Sequence, residues 1–279
     1  MQEVLRWSGA FGCDVVALQE CEERTGYVEL LESGFELAGV AEATANRGYV
    51  HVYVRRRDDV MLERVELGAC EPCVAVRLRY GAGQENARSL VVVSVHLPAG
   101  ECAEKRKEIL VRSLKKLGKE KENAVVLGDM NVNREAEVAG ICESIDLKNA
   151  RYAGYSWGVP GNKFYADLAF AGPGLRKDRV LFGGKLCAQA HLVGQCEQFF
   201  QGEKFFLSDH FGVMAYVDSS DVYDSRAKQV VVVARVRRQL LAAPVEQSQQ
   251  KELIEVKALR QAGREGQALA RQRVQELRR

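Results

Sequence analysis

The sequence predicts an α/β domain followed by a basic helical extension, and three observations carry that reading. Apolar runs of strand length stop abruptly at polar side chains. Between residues 35 and 97 such runs succeed one another with little between them, as in a largely antiparallel sheet, and apolar residues at helical spacing occupy much of the remainder. With 279 residues, 47% of them apolar, the chain can bury one core of ordinary α/β size and leave some length over.

Taken in order, Val4, Trp7 and Phe11 share one face of a short helix that Gly12 is placed to end. Asp14 to Leu18 is a buried strand that stops at Gln19-Glu20. Tyr27 to Leu31 is helical, and strands follow at 35–40, 48–54, 60–67 and 73–79, before a Gly-containing polar loop at 81–88. Leu90 to Leu97 is the strongest strand in the sequence; His96 lies near its end, and Pro98 cannot continue a ladder. Ala103, Leu110, Leu114 and Leu117 form a helical stripe closed by Gly118. The run Ala124-Val125-Val126-Leu127-Gly128-Asp129-Met130-Asn131 then reads as a strand covered on both faces, with Gly128 letting the backbone turn so that Asp129 and Asn131 project from one edge.

Residues 134–145 are helical, Phe164 to Phe170 is a strand carrying Asp167, and further strands lie near 179–183 and 186–193. Ser208-Asp209-His210 opens a last strand to Val217. The body therefore spans residues 1–218, with Ser219-Ser220-Asp221 as the break. The extension, residues 219–279, has helical spacing at Leu253, Val256 and Leu259 and again at Ala270, Val274 and Leu277, with Pro244 dividing two helices.

The formal charge of +2 conceals an asymmetry: residues 225–279 hold 13 Lys and Arg against 5 Asp and Glu, leaving 27 against 33 for the rest. No apolar run approaches the ~20 residues of a membrane span, and the start lacks a basic segment followed by a long apolar one. The expectation is a soluble intracellular chain. The eight cysteines are scattered through a chain large enough to need no staples, so reduced, mostly buried thiols are expected. Cys70-Glu71-Pro72-Cys73 has the spacing of half a zinc site, but no second pair accompanies it, and it reads as a turn.

The chemistry lies at the strand ends. A carboxylate such as Asp129 can orient a water or approach a hard cation, while the Asn131 amide can donate to an anionic oxygen without adding negative charge. Glu20, His96, Asp167, and Asp209 with His210 are also strand-associated. In an α/β sheet such groups collect in a crevice that can hold Mg²⁺ and polarise a phosphoryl group. Singly, each has an ordinary structural role open to it, and a lone histidine is more often a hydrogen-bonded structural residue.

The order Leu18-Gln19-Glu20, Val95-His96-Leu97, Gly128-Asp129-Met130-Asn131, Tyr155-Ser156-Trp157, Asp167 and Ser208-Asp209-His210 resembles the endonuclease/exonuclease/phosphatase superfamily over about residues 1–218. The stretch from His96 to Asn131, with the Ser-Trp ahead of Asp167, looks most like 5′-tyrosyl-DNA phosphodiesterases. The resemblance implies a four-layer α/β sandwich, two mixed and mainly antiparallel sheets packed face to face with helices outside, and Mg²⁺- or Mn²⁺-dependent cleavage of a phosphoester. It implies Glu20 as the main metal ligand, Asp209 as an auxiliary one, and Asp129 as the group that aligns or deprotonates water. Asn131 would steady a phosphate oxygen and His96 contact the phosphate. His210 would stabilise developing charge, with Asp167 fixing its tautomer.

Three departures accompany the resemblance. Family members open with a strand carrying a metal-binding asparagine, whereas this sequence starts at the helix that would follow. A truncated or mis-started chain, or a weakened site, is expected, with a strand missing from one sheet. Many relatives place an arginine two residues before the aspartate, and Tyr165-Ala166-Asp167 does not. Pro98-Ala99 stands where the tyrosyl-DNA enzymes carry polar residues. Three functions stay open: a metal-dependent phosphodiesterase or nuclease on nucleic acid or a protein–DNA adduct, as in DNA repair; a phosphatase or phospholipase on a small phosphoester; and a catalytically weak member binding a polyanion or partner helix through its tail.

Overall fold

The structure is a computed structural model. It describes residues 2–22, 24–42, 48–67, 73–81, 88–100, 102–158, 174–195, 198–200, 203–205, 208, 210–219 and 229–235. In chain order the elements are α1 (Gln2–Ala10), β1 (Val15–Cys21), α2 (Val28–Glu32), β2 (Phe35–Glu42), β3 (Tyr49–Arg55), β4 (Val60–Val65), β5 (Cys73–Tyr80) and β6 (Arg88–His96). There follow α3 (Ala103–Lys115), a 3₁₀ turn, β7 (Ala124–Asp129), α4 (Glu135–Ile145), β8 (Lys148–Asn149), β9 (Asp178–Phe182) and β10 (Leu186–Val193). A small hairpin, β11 (Gln198–Phe200) and β12 (Glu203–Phe205), precedes β13 (Gly212–Ser219) and β14 (Gln229–Arg235).

Two six-stranded sheets result, ordered β10-β13-β14-β1-β3-β2 and β4-β5-β6-β7-β9-β8. Both are mixed and mainly antiparallel: only β1–β14 and β6–β7 pair in parallel. Period-two alternation sends one set of side chains from each sheet into a shared core, among them Val15, Ala17, Val52 and Val213 from the first sheet and Val76, Val92, Val125, Leu127 and Val180 from the second. The intervening residues bury the outer faces. Val16, Leu18, Phe35 and Tyr53 meet Val4 of α1 and Leu30 of α2, while Val93, Val95 and Val126 meet Leu110 and Leu114 of α3 and Val138 and Ile141 of α4. The layers are therefore helix, sheet, sheet, helix, as the resemblance implies.

The boundary expected at 218/219 is corrected by β14. Residues 229–235 form a strand rather than part of a helical extension, and Met1–Arg237 is one compact unit. Val230 to Val233 is four β-branched residues in a row, which favour an extended backbone over a helix. β14 lies between β13 and β1, in register from Val15↔Val231 to Gln19↔Arg235 on one side and from Val213↔Val233 to Val217↔Gln229 on the other. β1 thus has a hydrogen-bonded neighbour on each side, and the gap expected beside it is filled.

The helices expected beyond 238, the strand expected at 164–170 and Cys70 lie outside the described residues. Among the described cysteines Cys13, Cys21, Cys73 and Cys142 are buried, Cys102 and Cys187 exposed, and all six free. Burial pushes the Cys13 and Cys21 thiols up to about 12, so both pack as uncharged groups at neutral pH. No helix among the described residues is long and apolar enough to cross a membrane.

A chain ending at Asp218 strips β1 and β13 of a shared ladder and leaves buried backbone groups unpaired, whereas a chain ending at Arg237 keeps them. Thermal melts of the two beside the full chain are expected to show the Arg237 form unchanged and the Asp218 form lower by roughly 10 °C or more, at about 2–4 °C per kcal/mol for this size. Equal melts would show that the sheet does not depend on β14.

Candidate active site

The strands that deliver the site are the same ones that build the inter-sheet core. Along β7 the inward residues are Val125, Leu127 and then Asp129; along β9 they are Phe182, Val180 and Asp178. Along β6, Leu90 and Val92 are followed at the same spacing by Ser94 and His96. His96 is registered with Asp129, and Asp129 with Asp178, so the three form one polar rung across neighbouring strands where the apolar core ends. Below it Gln19 of β1 crosses between the sheets and donates from Nε2 to the Ser94 hydroxyl at 3.1 Å. Gly128 permits the approach of β6 and β7, since a Cβ there would lie 2.0 Å from the Val95 carbonyl oxygen.

Glu20 reaches the same place by breaking the alternation of β1. Val16 and Leu18 face the helices, and a regular strand would send Glu20 after them. Instead Gln19 and Glu20 stand opposite the single residue Val50, the register shifting between Leu18↔His51 and Cys21↔Tyr49, and Glu20 takes φ +56°. This bulge re-aims the carboxylate, at a conformational cost of about 1 kcal/mol or more for a non-glycine residue. Glu20 Oε1 then lies 3.7 Å from His96 Nε2.

From Glu20 inward, carboxylates and imidazoles alternate. His96 Nε2 is 3.7 Å from Asp129 Oδ2, His210 Nε2 is 3.8 Å from the same oxygen, and His210 Nδ1 is 2.7 Å from Asp178 Oδ2. Only the last separation is a hydrogen bond; with a carboxylate as acceptor, Nδ1 carries the proton and Nε2 is turned toward Asp129. The other gaps are wider than hydrogen bonds, and a water beside them can reach both sides. The other Asp129 oxygen accepts the Asn131 backbone N–H at 2.9 Å, and the Asn131 amide donates to the Leu97 carbonyl at 2.7 Å. Asn131, at φ +49°, is thereby fixed as a brace for the loop.

The Asp178–His210 pair is itself held in place. The Asp178 N–H donates to the Ser156 hydroxyl at 3.2 Å, and its carbonyl accepts the Tyr152 hydroxyl at 2.6 Å. The His210 N–H donates to the Ser208 hydroxyl at 3.1 Å, and Trp157 bridges to both Leu175 and His210. Lys177 places its Nζ 3.6 Å from the Trp157 ring centroid, a cation at the rim next to Asp178.

The structure thus brings together Glu20, His96, Asp129, Asn131 and His210. Asp167 and Asp209 lie outside the described residues, and the place against His210 expected of Asp167 is held by Asp178. Asp178 has the arginine two residues ahead, Arg176, that Asp167 lacks. That spacing was the available signal. Asp178 was missed because it starts its strand: β9 runs antiparallel to β7, so its first residue comes to the edge where β7 ends.

As cation donors, Asp129, Asp178 and His210 have ligand atoms within 4.8 Å of one another. Asp178 Oδ2 and His210 Nδ1, however, are engaged with each other, so a cation between them would displace a hydrogen bond. Glu20, at the open edge with an 11% exposed side chain, and the Asp129 carboxylate offer the oxygen donors that a hard ion such as Mg²⁺ takes. In chemical type these donors fit such an ion.

The family model described as endonuclease/exonuclease/phosphatase family matches residues 1–210, and the chain belongs to that family, whose members are hydrolases acting on phosphoesters. Among solved structures, TDP2 from C. elegans is similar at 19% identity and TM-score 0.54, over 78% of this chain and 68% of that one. An endonuclease/exonuclease/phosphatase family protein from Bacteroides thetaiotaomicron is similar at 14% identity and TM-score 0.55, over 77% and 86%. The endonuclease domain of TRAS1, a telomere-specific non-LTR retrotransposon, is similar at 13% identity and TM-score 0.51, over 78% and 91%. At these identities the likeness is one of fold. A search of the curated proteins gives no match.

The geometry separates the two aspartates by experiment. Asp178→Asn keeps the shape but removes the carboxylate that fixes the His210 tautomer, and kcat on a phosphoester substrate is expected to fall by about 10² or more with KM little changed. Asp167→Asn is expected to fall much less. The reverse order would return the role to Asp167.

Proposed function

We propose that this chain is a divalent-cation-dependent phosphodiesterase acting on nucleic acid, protein–DNA adducts included. The observation that carries the reading is the alternating row Glu20, His96, Asp129, His210 and Asp178 at the rim of the inter-sheet core. Phosphoryl transfer asks for alignment and charge stabilisation more than covalent help, and the row offers both. Glu20, with Asp209 as an auxiliary contact, would hold Mg²⁺ or Mn²⁺. The ion would neutralise charge on the phosphoryl oxygens when bound.

The chain's own groups divide the remaining work. Asp129 Oδ2, facing both imidazoles, accepts the proton of a water aligned on phosphorus. His96, through Nε2–H, would donate to a non-bridging phosphoryl oxygen, while Asn131, its amide given to the Leu97 carbonyl, braces the loop rather than steadying a phosphate oxygen. His210, its Nδ1 proton held by Asp178, presents Nε2 to the charge that builds on the phosphoryl group. A nucleic-acid substrate is supported by the fold likeness to the endonuclease domain of TRAS1 and by the motif spacing shared with tyrosyl-DNA phosphodiesterases.

The test is a substrate panel of abasic, 5′-tyrosyl and 3′-blocked DNA beside small phosphoesters, with Mg²⁺ and with EDTA. Turnover is expected on a DNA substrate, to vanish in EDTA, and to fall by about 10²–10³ in Asp129→Asn. Full activity in EDTA, or an Asp129→Asn protein equal to its parent, would remove the mechanism. Turnover confined to small phosphoesters would move the substrate class.

A further inference from the structure

The bulge that turns Glu20 into the site has an underside, and it is built as specifically as the site. Gly48, the residue before β3, takes φ +86°, and a Cβ there would stand 2.3 Å from the Cys21 carbonyl oxygen and 3.3 Å from the Glu20 carbonyl carbon. The entry of β3 therefore lies directly against the peptide that follows Glu20, a contact open to glycine alone. Further along, at Tyr53, β3 is tied to the turn leaving β1. The Tyr53 hydroxyl, fully buried, accepts the Tyr27 backbone N–H at 2.7 Å and meets His51 Nδ1 at 3.1 Å. His51 is registered with Leu18, the last regular pair before the bulge, and the Cys21 thiol, first after it, faces the His51 backbone. Together these groups bracket the residue whose φ departs from the strand.

We infer that Gly48 and the buried Tyr53–His51 pair are positioning residues for Glu20, holding its carboxylate in the bulged conformation and so setting the affinity of the site for a divalent cation. The inference rests on Glu20 as the ligand named under the proposed function. The physical reason is direct: without the support, β1 gains by relaxing φ to a negative value, and regular alternation carries the carboxylate to the helix face. Groups behind a metal ligand commonly govern affinity by about 10–100-fold.

The experiment is a Mn²⁺ titration of the full chain followed by electron paramagnetic resonance, without substrate, well below the melting temperature of each variant. Gly48→Ala is expected to weaken Mn²⁺ by about 10-fold or more and Tyr53→Phe, which adds no atom, by about 3-fold or more. Gly39→Ala serves as the control for general destabilisation, because its Cβ would meet Val74 Cγ2 at 2.5 Å in the inter-sheet core, on the face of the sheet opposite that of Tyr53. It is expected to lower the melting temperature and leave Mn²⁺ affinity at the parental value. Parental affinity in Tyr53→Phe and in any folded Gly48→Ala, or a loss no larger than that of Gly39→Ala, would overturn the inference. Glu20→Gln tests the underlying reading separately: unchanged affinity there would remove Glu20 as the ligand, whatever the other variants do.

Discussion

Everything in this structure depends on burying ionisable groups at the edge of an apolar core. Asp129 is completely buried, and Asp178, His96 and His210 nearly so, in a rung that continues the inward-facing valines and leucines of β6, β7 and β9. A carboxylate cannot stay charged in such a place alone. The row meets the condition by alternation, each carboxylate standing beside an imidazole, and one Asp129 oxygen also accepts the Asn131 backbone N–H. Side chains that satisfy one another around small gaps also form a template for a phosphoryl group, which presents oxygens to imidazoles and needs a base opposite the leaving group. Stability and chemistry here have a common cause.

The same demand applies to the backbone. β1 carries an acidic group that reaches the site from the first sheet, and it must remain a strand up to a residue that is not in strand conformation. It is held on both sides, by β14 in parallel and β3 antiparallel. A segment far away in sequence therefore supports Glu20 through the ladder alone. On the other side β3 allows the bulge because Gly48 has no Cβ and because buried hydroxyl and imidazole groups lock the strand in register.

The family model places the chain among phosphoester hydrolases, and the fold likeness is consistent with that placement at low identity. Substrate choice belongs to the surface around the row, where Trp157, Lys177 and Arg176 lie beside Asp178. The contribution of Asp209 depends on the segment next to His210, since the two residues are adjacent in sequence.

The sequence by itself determined the strands that end in chemistry. Apolar runs stopping at Glu20, His96 and Asp129 identified the α/β class and marked three side chains that the fold brings together, because a strand buried on both faces is apolar until it leaves the core. α3 and α4 were legible for the same local reason, their stripes and closing residues being written within a dozen positions. Only the tertiary structure decided which aspartate meets His210. Asp178 sits at the beginning of its strand, and only antiparallel pairing with β7 brings a beginning to the edge where another strand ends. Only the tertiary structure, too, drew 229–235 into the sheet. Four valines declare a strand, but the partner of a strand is chosen by backbone groups two hundred residues away, and no local pattern records which of them stand unpaired.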